Sequence, residues 1–363
     1  MKAEDGRFII LSPGFPENEK DTVCLPAQQA LLTSLGQQFP GLEIVVISFQ
    51  YPFTTTRYRW KEHLVIPLNG RSKRRLNRLI TWIRVWRTLK KLRRERPILG
   101  IFSFWCTECA LLGERFGKKY HIRSYNWILG QDARESNRFV SLIRPKPESL
   151  IAMSPFLAET FFGAHGIRPK HIIPNGIRPQ DFPPLNTHRD IDLLGVGSLI
   201  SLKQYHLFVL TIKALKQDFP DIKSLICGKG QEEENLRKLI LDNDLQNNIS
   251  IIGEVPHPEA LQWMNRSRIL LHPSSYEGFS TVCLEALYAG AEVISFCDPK
   301  IGEIPHWHIA RNPEEMNCRA RTIMRDKTLT PERITVYTMD ESARQIMELY
   351  DLQPAGRTAL AQK

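Results

Sequence analysis

Short apolar runs alternate with segments of helical character twice along this chain, and that alternation restricts the fold more than any other feature. The run Phe8-Ile9-Ile10-Leu11 is followed by the turn Ser12-Pro13-Gly14-Phe15-Pro16 and a helix predicted over 25–39. The β-branched run 44–49, then 98–104 behind Pro97, 150–153 and 171–173 read as further strands, with a helix over 155–165. A break follows near 178–190, where Pro179, Pro183 and Pro184 suit a linker. Strand character then returns at 192–197, 224–227, 249–252, 268–272 and 292–296, with helices predicted over 205–219, 232–242, 258–265 and 280–290 between. Strands alternating with helices build βαβ units, parallel sheets and right-handed crossovers. At 363 residues the chain is long enough for two such domains. The expectation is an α/β protein with two doubly wound domains facing a central cleft. Ligands in such folds lie beyond the carboxyl ends of the strands.

Composition narrows the classes. Apolar residues make up 42% and charged residues 24%, which is ordinary for a folded water-soluble chain. No apolar run approaches the ~20 residues that span a bilayer. The charged start Met1–Arg7 precedes an apolar run of only Phe8 to Leu11, so no secretory signal is expected. Seven scattered cysteines, an odd number, read as reduced thiols in a cytoplasmic chain. The net charge of +10 is concentrated: residues 71–96 hold 12 Lys/Arg and one acid, Glu95, so the remainder sums to −1. Nucleic-acid binders spread basic charge along a surface, so no nucleic-acid partner is expected. Two readings of 71–96 stand side by side. One is a domain helix with a solvated basic rim. The other is docking on anionic lipid at the inner face of the membrane, with Trp82 and Trp86 at headgroup level.

The strongest chemical signal lies in 268–290. An apolar strand ends at Pro273, Glu277 sits in a loop, and Gly278 permits close backbone approach to a ligand. Ser280 and Thr281 then start a helix that Gly290 stops, with Glu285 one turn in. A helix start suits a phosphate, and a carboxylate accepts hydrogen bonds from adjacent hydroxyls such as those of ribose or a sugar.

These residues resemble the retaining glycosyltransferases of family 4, the group 1 glycosyl transferases, which have the GT-B architecture of two Rossmann-like domains. The pattern stands as Pro273-Ser274-Ser275-Tyr276-Glu277-Gly278-Phe279, Glu285, Ala286 and Gly290. The resemblance runs over 8–350 and is densest over 192–305. It implies that Glu277 contacts the donor sugar and Glu285 the nucleotide ribose, while the backbone at Ser280-Thr281-Val282, with Gly278 and Phe279, holds the donor. Lys203 would face the diphosphate. Gly228-Lys229-Gly230 and Val255 resemble the base-side loops, and Gly14 the loop that reaches the donor phosphate. Pro174-Asn175-Gly176-Ile177 resembles the family's hinge-proximal signature. Two positions depart from the pattern. Ser198 stands where the family often has an Arg, and Leu129 where many members have a His, so Gln131 or Asp132 is expected to take over the sugar contact.

The resemblance implies an N-terminal acceptor-side domain over 1–180 and a nucleotide-sugar domain over 181–340. A helix over 341–352 would pack back on the first domain, followed by a flexible tail over 353–363. The implied activity is transfer of a sugar from a nucleotide-diphosphate donor to a hydroxyl acceptor with retention, in envelope or polysaccharide glycan synthesis. No cofactor and no essential metal are expected, and the acceptor is a glycan or a lipid-linked one. The alternatives are a GT-B protein that binds sugar nucleotides without turnover, or a nucleotide-sugar 2-epimerase. Two other motifs have competing readings. Trp105-Cys106-Thr107-Glu108-Cys109 has the look of a redox motif but is expected to be buried thiols on a core helix, and His306-Trp307-His308 is expected to cap the loop after Gly302-Glu303.

Overall fold

The computed structural model describes residues 6–71 and 75–354. They form two compact units: the chain through Gly176 together with the segment from Met339, and Ile177–Thr338. Entry to and exit from the second unit are paired. The Ile177 amide donates to Tyr337 O at 3.0 Å, and Ile177 bridges Thr338 in parallel.

The first unit is built on strands β1 (Arg7–Gly14), β2 (Glu43–Tyr51), β3 (Tyr58–Trp60), β4 (His63–Pro67), β5 (Ile98–Phe104), β6 (Ser124–Ile128), β7 (Leu150–Ala152) and β8 (His171–Ile172). Their order is β3-β4-β2-β1-β5-β6-β7-β8, and only the β3–β4 pair is antiparallel. β3, β4 and β6 lie outside the strand expectations. β3 is a short edge strand joined to β4 by a turn at Lys61, β4 carries an apolar run of only three residues, Leu64-Val65-Ile66, and β6 is the mixed run Ser-Tyr-Asn-Trp-Ile. The central strands β1 and β5 are almost wholly buried, which is why they read as unbroken apolar stretches.

The helix Met339–Glu348 belongs to this first unit. Gln38 Nε2 at the end of the helix Pro26–Gln38 donates to Asp340 O at 2.9 Å, and Ser342 Oγ donates to Pro174 O at 2.8 Å. Beyond the helix, the Tyr350 hydroxyl donates to Ile101 O at 2.6 Å and its ring meets Phe8 edge-on. Gly100 makes room for it, because a Cβ there would lie 2.3 Å from the Tyr350 ring. Most of the tail expected over 353–363 lies outside the described residues.

The basic segment forms the helix Arg75–Glu95, with 72–74 and the side chains of 75–77 outside the description. Thr81, Val85, Leu89 and Leu92 face the core at helical spacing. Leu79, Ile80 and Ile83 are outward, at 52%, 47% and 44% exposure. Trp82 Nε1 donates to Glu108 Oε2 at 2.8 Å, and Trp86 packs edge-on against Phe116. The headgroup role expected of the two tryptophans is thus corrected: both are half-buried in the domain wall.

The second unit has β9 (Ile191–Val196), β10 (Ser224–Cys227), β11 (Ile249–Gly253), β12 (Ser267–His272), β13 (Glu292–Ser295) and β14 (Trp307–Ile309), ordered β11-β10-β9-β12-β13-β14 and parallel throughout. The order reverses between β9 and β12, making a topological switch at their carboxyl ends. β14 and the helix Pro313–Arg325 lie outside the sequence expectations. The histidines around Trp307 are not a loop cap. His306 Nδ1 and His308 Nε2 hold the two oxygens of Glu292 at 2.6 and 2.7 Å, which ties β14 to β13. All seven cysteines are free, and burial pushes the Cys106 and Cys109 thiols well above their usual range, which suits packing rather than redox chemistry.

Candidate active site at the carboxyl end of the second sheet

Three loops interlock at the switch. Gly197 N donates to Cys227 O at 2.9 Å, Leu199 N to Lys229 O at 3.0 Å, and Ser275 N to Leu202 O at 3.0 Å. The loop after β9 is thereby laced to those after β10 and β12. Glycine is required at 228, because a Cβ there would lie 1.9 Å from Gly197 O. A Cβ at Gly230 would lie 2.3 Å from Leu199 O. Loop-to-loop packing thus accounts for both glycines of the Gly-Lys-Gly turn, with Lys229 left exposed between them.

This lacing brings Lys203 against Glu277. The Lys203 ammonium donates to Glu277 Oε1, and both side chains are largely buried. His272, the last residue of β12, lies on the other side, with Nε2 3.5 Å from Glu277 Oε1 and 3.3 Å from the hydroxyls of Ser274 and Ser280. Burial would raise the Glu277 carboxyl, but the His272 hydrogen bond and the Lys203 charge outweigh it and hold it at about 2. Glu277 is therefore a carboxylate at any physiological pH and accepts hydrogen bonds only. Burial, reinforced by Lys203, lowers the His272 imidazole.

The helix Thr281–Tyr288 starts directly beyond this cluster. Ser280 occupies its cap position but gives no side-chain cap, since its hydroxyl turns to His272. The helix start, its positive dipole end not capped by the Ser280 side chain, adjoins Glu277 through Ser280. Glu285 follows on the same helix, 12% exposed, with Oε1 2.7 Å from His257 Nε2. Thr281 and Val282 are half-buried and Ser198 is exposed near the Gly197 turn, while Val255 is half-buried just after β11. Phe279 differs from expectation in one respect. It is 4% exposed, stacked on Trp307 and edge-on to Tyr337, so its ring is core and only its backbone is available to a ligand.

Glu277, Lys203, Gly278 and Ser280 thus converge, with Glu285 along the helix. Sequence reasoning missed His272 and His257, the direct partners of the two glutamates. His272 sits at a strand end five residues before Glu277, and that position was the available signal. His257 has no local signal, because its partner is 28 residues away.

In the first unit, Gly14 ends β1 with room around it: a Cβ would meet only Tyr51 Cβ, at 3.7 Å. Asp132 departs from its expected role. It is buried, and its carboxylate accepts from the amides of Cys106 at 2.8 Å, Leu129 at 3.0 Å and Gly130 at 2.8 Å. Burial pushes it up to about 6 against those three amides. Asp132 braces the loop from within, and Gln131 beside it is exposed. Among the described residues no group of three or more His, Cys, Asp or Glu is arranged to hold a metal ion.

Residues 177–305, the greater part of the second unit, match the family Glycosyl transferases group 1. A Schizosaccharomyces pombe relative, the phosphatidylinositol N-acetylglucosaminyltransferase gpi3 subunit, is 27% identical over 228 residues, covering 60% of this chain and 49% of the relative. The chain thus spans about half the length of that relative. Among solved structures, sucrose-phosphate synthase from Thermosynechococcus elongatus aligns with a TM-score of 0.69 at 14% identity, over 95% of each chain. WaaG, a glycosyltransferase involved in lipopolysaccharide biosynthesis, aligns with a TM-score of 0.63 at 15% identity, over 95% of this chain and 97% of WaaG. The fold is GT-B, with two parallel-sheet domains.

Proposed function

We propose that this chain is a retaining glycosyltransferase that moves a sugar from a nucleoside-diphosphate sugar to an acceptor hydroxyl. The observation that carries the reading is the Lys203–Glu277 pair, set at the switch of the second sheet beside the start of the helix Thr281–Tyr288. In this reading the diphosphate lies at that helix start, with the Ser198 hydroxyl and the Lys203 ammonium beside it. Lys203 shifts from Glu277 toward charge that grows on the leaving phosphate, an interaction stronger in the transition state than before it. Glu277, ionised throughout, accepts hydrogen bonds from sugar hydroxyls. Glu285 accepts from the ribose. The bond from the anomeric carbon to the phosphate oxygen breaks, and a bond to the acceptor oxygen forms on the same face. The acceptor proton goes to the leaving phosphate, giving nucleoside diphosphate and glycoside. No enzyme nucleophile and no metal are assigned a step.

The acceptor we assign is a lipid-linked or envelope glycan, with the basic helix Arg75–Glu95 on the anionic inner face of the membrane. Two observations support this. Leu79, Ile80 and Ile83 are exposed among Arg84, Arg87, Lys90 and Lys91, and a basic helix with outward apolar groups suits a lipid interface. The pombe relative is named for a phosphatidylinositol acceptor. Among the described residues no helix is long and apolar enough to cross a membrane.

Ser198 in place of the family's Arg supports a second reading, a sugar-nucleotide binder without turnover, because one hydroxyl replaces a fork of charged donors. Nucleoside diphosphate released from a panel of nucleotide sugars separates the two. Release that is lost in Glu277→Gln supports the transferase. Binding without release supports the second reading, and free 2-epimeric sugar would identify an epimerase.

A further inference from the structure

His257 is the first residue of the helix His257–Arg266, directly after Pro256, and that helix packs beside Thr281–Tyr288. Its Nε2 lies 2.7 Å from Glu285 Oε1, with side-chain exposures of 25% and 12%. A carboxylate only accepts, so the imidazole carries its proton on Nε2 and donates. Among the described residues, Glu285 Oε2 receives no hydrogen bond. One oxygen of the carboxylate is held and the other is open.

Burial pulls the imidazole down, but the charge and hydrogen bond of Glu285, with the charge of Asp181, outweigh it and raise it. Asp181 is itself paired with Arg178 at 3.0 Å. The proton on Nε2 is thus favoured by both acids that face it.

We propose that His257 is a positioning residue for the nucleotide ribose. It fixes the plane of the Glu285 carboxylate by holding Oε1 and leaves Oε2 to accept a ribose hydroxyl. A carboxylate free to turn about its last torsion would have to be ordered by the ligand, and that ordering subtracts from affinity. The proposal rests on the reading of Glu285 as the ribose acceptor, and its test separates the two.

The experiment measures calorimetric binding of UDP, GDP and ADP, and of their 2′,3′-dideoxy counterparts, to wild type, His257→Ala, His257→Gln and Glu285→Gln. Thermal unfolding checks that each variant is folded. For the ribonucleotide that binds best, His257→Ala is expected to weaken affinity about tenfold, the scale of one good hydrogen bond, while the dideoxy form changes by less than about twofold. The Gln variant, whose amide reaches about as far as Nε2, is expected to restore most of the loss. Equal weakening of both ligands, or no weakening in His257→Ala, overturns the proposal. Should Glu285→Gln remove the preference for ribose while His257→Ala does not, the positioning role fails and the ribose reading stands. Should Glu285→Gln leave that preference intact, the ribose reading itself fails. Wild type that binds none of the three ribonucleotides overturns both.

Discussion

Replacing Lys203 with Met keeps the length of the side chain and removes its charge from the Glu277 cluster. Both partners are less than one fifth exposed, at 18% and 19%. Breaking a fully buried pair costs ~3–5 kcal/mol, and a solvent-exposed one ~0–1 kcal/mol. His272 still donates to Glu277 in the variant, so a loss of ~2 kcal/mol is expected, a fall in Tm of about 4–8 °C for a unit the size of Ile177–Thr338. The pH dependence follows from the carboxyl. Glu277 titrates at about 2 in the folded protein, below its ordinary 4.5, so its contribution is complete above 4.5 and is lost as pH falls toward 2. Without the ammonium the carboxyl is depressed less. The stability gap between wild type and variant is therefore full at pH 7 and narrows below about pH 5. Denaturant melts across that range measure it. Turnover is expected to fall by about 10²–10³, the scale of losing one preorganised donor to developing charge. A gap that stays constant down to pH 3 would refute the electrostatic account of the pair, and wild-type turnover would refute the phosphate role of Lys203.

Gly228→Ala is expected to destabilise the second unit by ~3 kcal/mol or more, seen as a lower Tm, because the new Cβ would lie 1.9 Å from a carbonyl oxygen of the neighbouring loop. Activity, once detected, is expected to survive EDTA; full loss restored by Mn²⁺ or Mg²⁺ would contradict the metal-free step. Co-sedimentation with anionic vesicles is expected at low salt, to weaken at high salt, and to be lost when Leu79, Ile80 and Ile83 are replaced by Ser or when Arg84 and Arg87 are replaced by Glu. Binding indifferent to both sets of changes would leave a soluble acceptor as the better reading.

The strand–loop–helix around Glu277 was legible because it is local. An apolar strand, Pro273, Gly278 and a helix start are set by neighbours in sequence, and the carboxylate spacing travels with them. What the glutamates touch was not legible. His257 and Lys203 reach their partners only through helix packing and loop lacing, and nothing local to either residue signals it. Asp132 illustrates the same limit. A polar residue after a strand invites a ligand role, yet three backbone amides converge on it and draw it inside. The basic helix shows a third case. Leu79, Ile80 and Ile83 share a broad apolar surface with Val85, Leu89 and Leu92 on a helical wheel, but the core took only the last three, with Thr81, and a continuous apolar surface offers no local rule for choosing among its sides. Short strands such as Tyr58–Trp60, at the sheet edge, escaped because partners, not propensity, make them strands.

The central claim is tested most directly by incubating the purified chain with a panel of nucleotide sugars and following nucleoside diphosphate and free sugar by chromatography, with Glu277→Gln beside it. The account predicts that wild type releases diphosphate from one class of donor, that the variant does not, and that the released sugar matches the donor sugar. Binding without release across the whole panel, or release undiminished in Glu277→Gln, would contradict it.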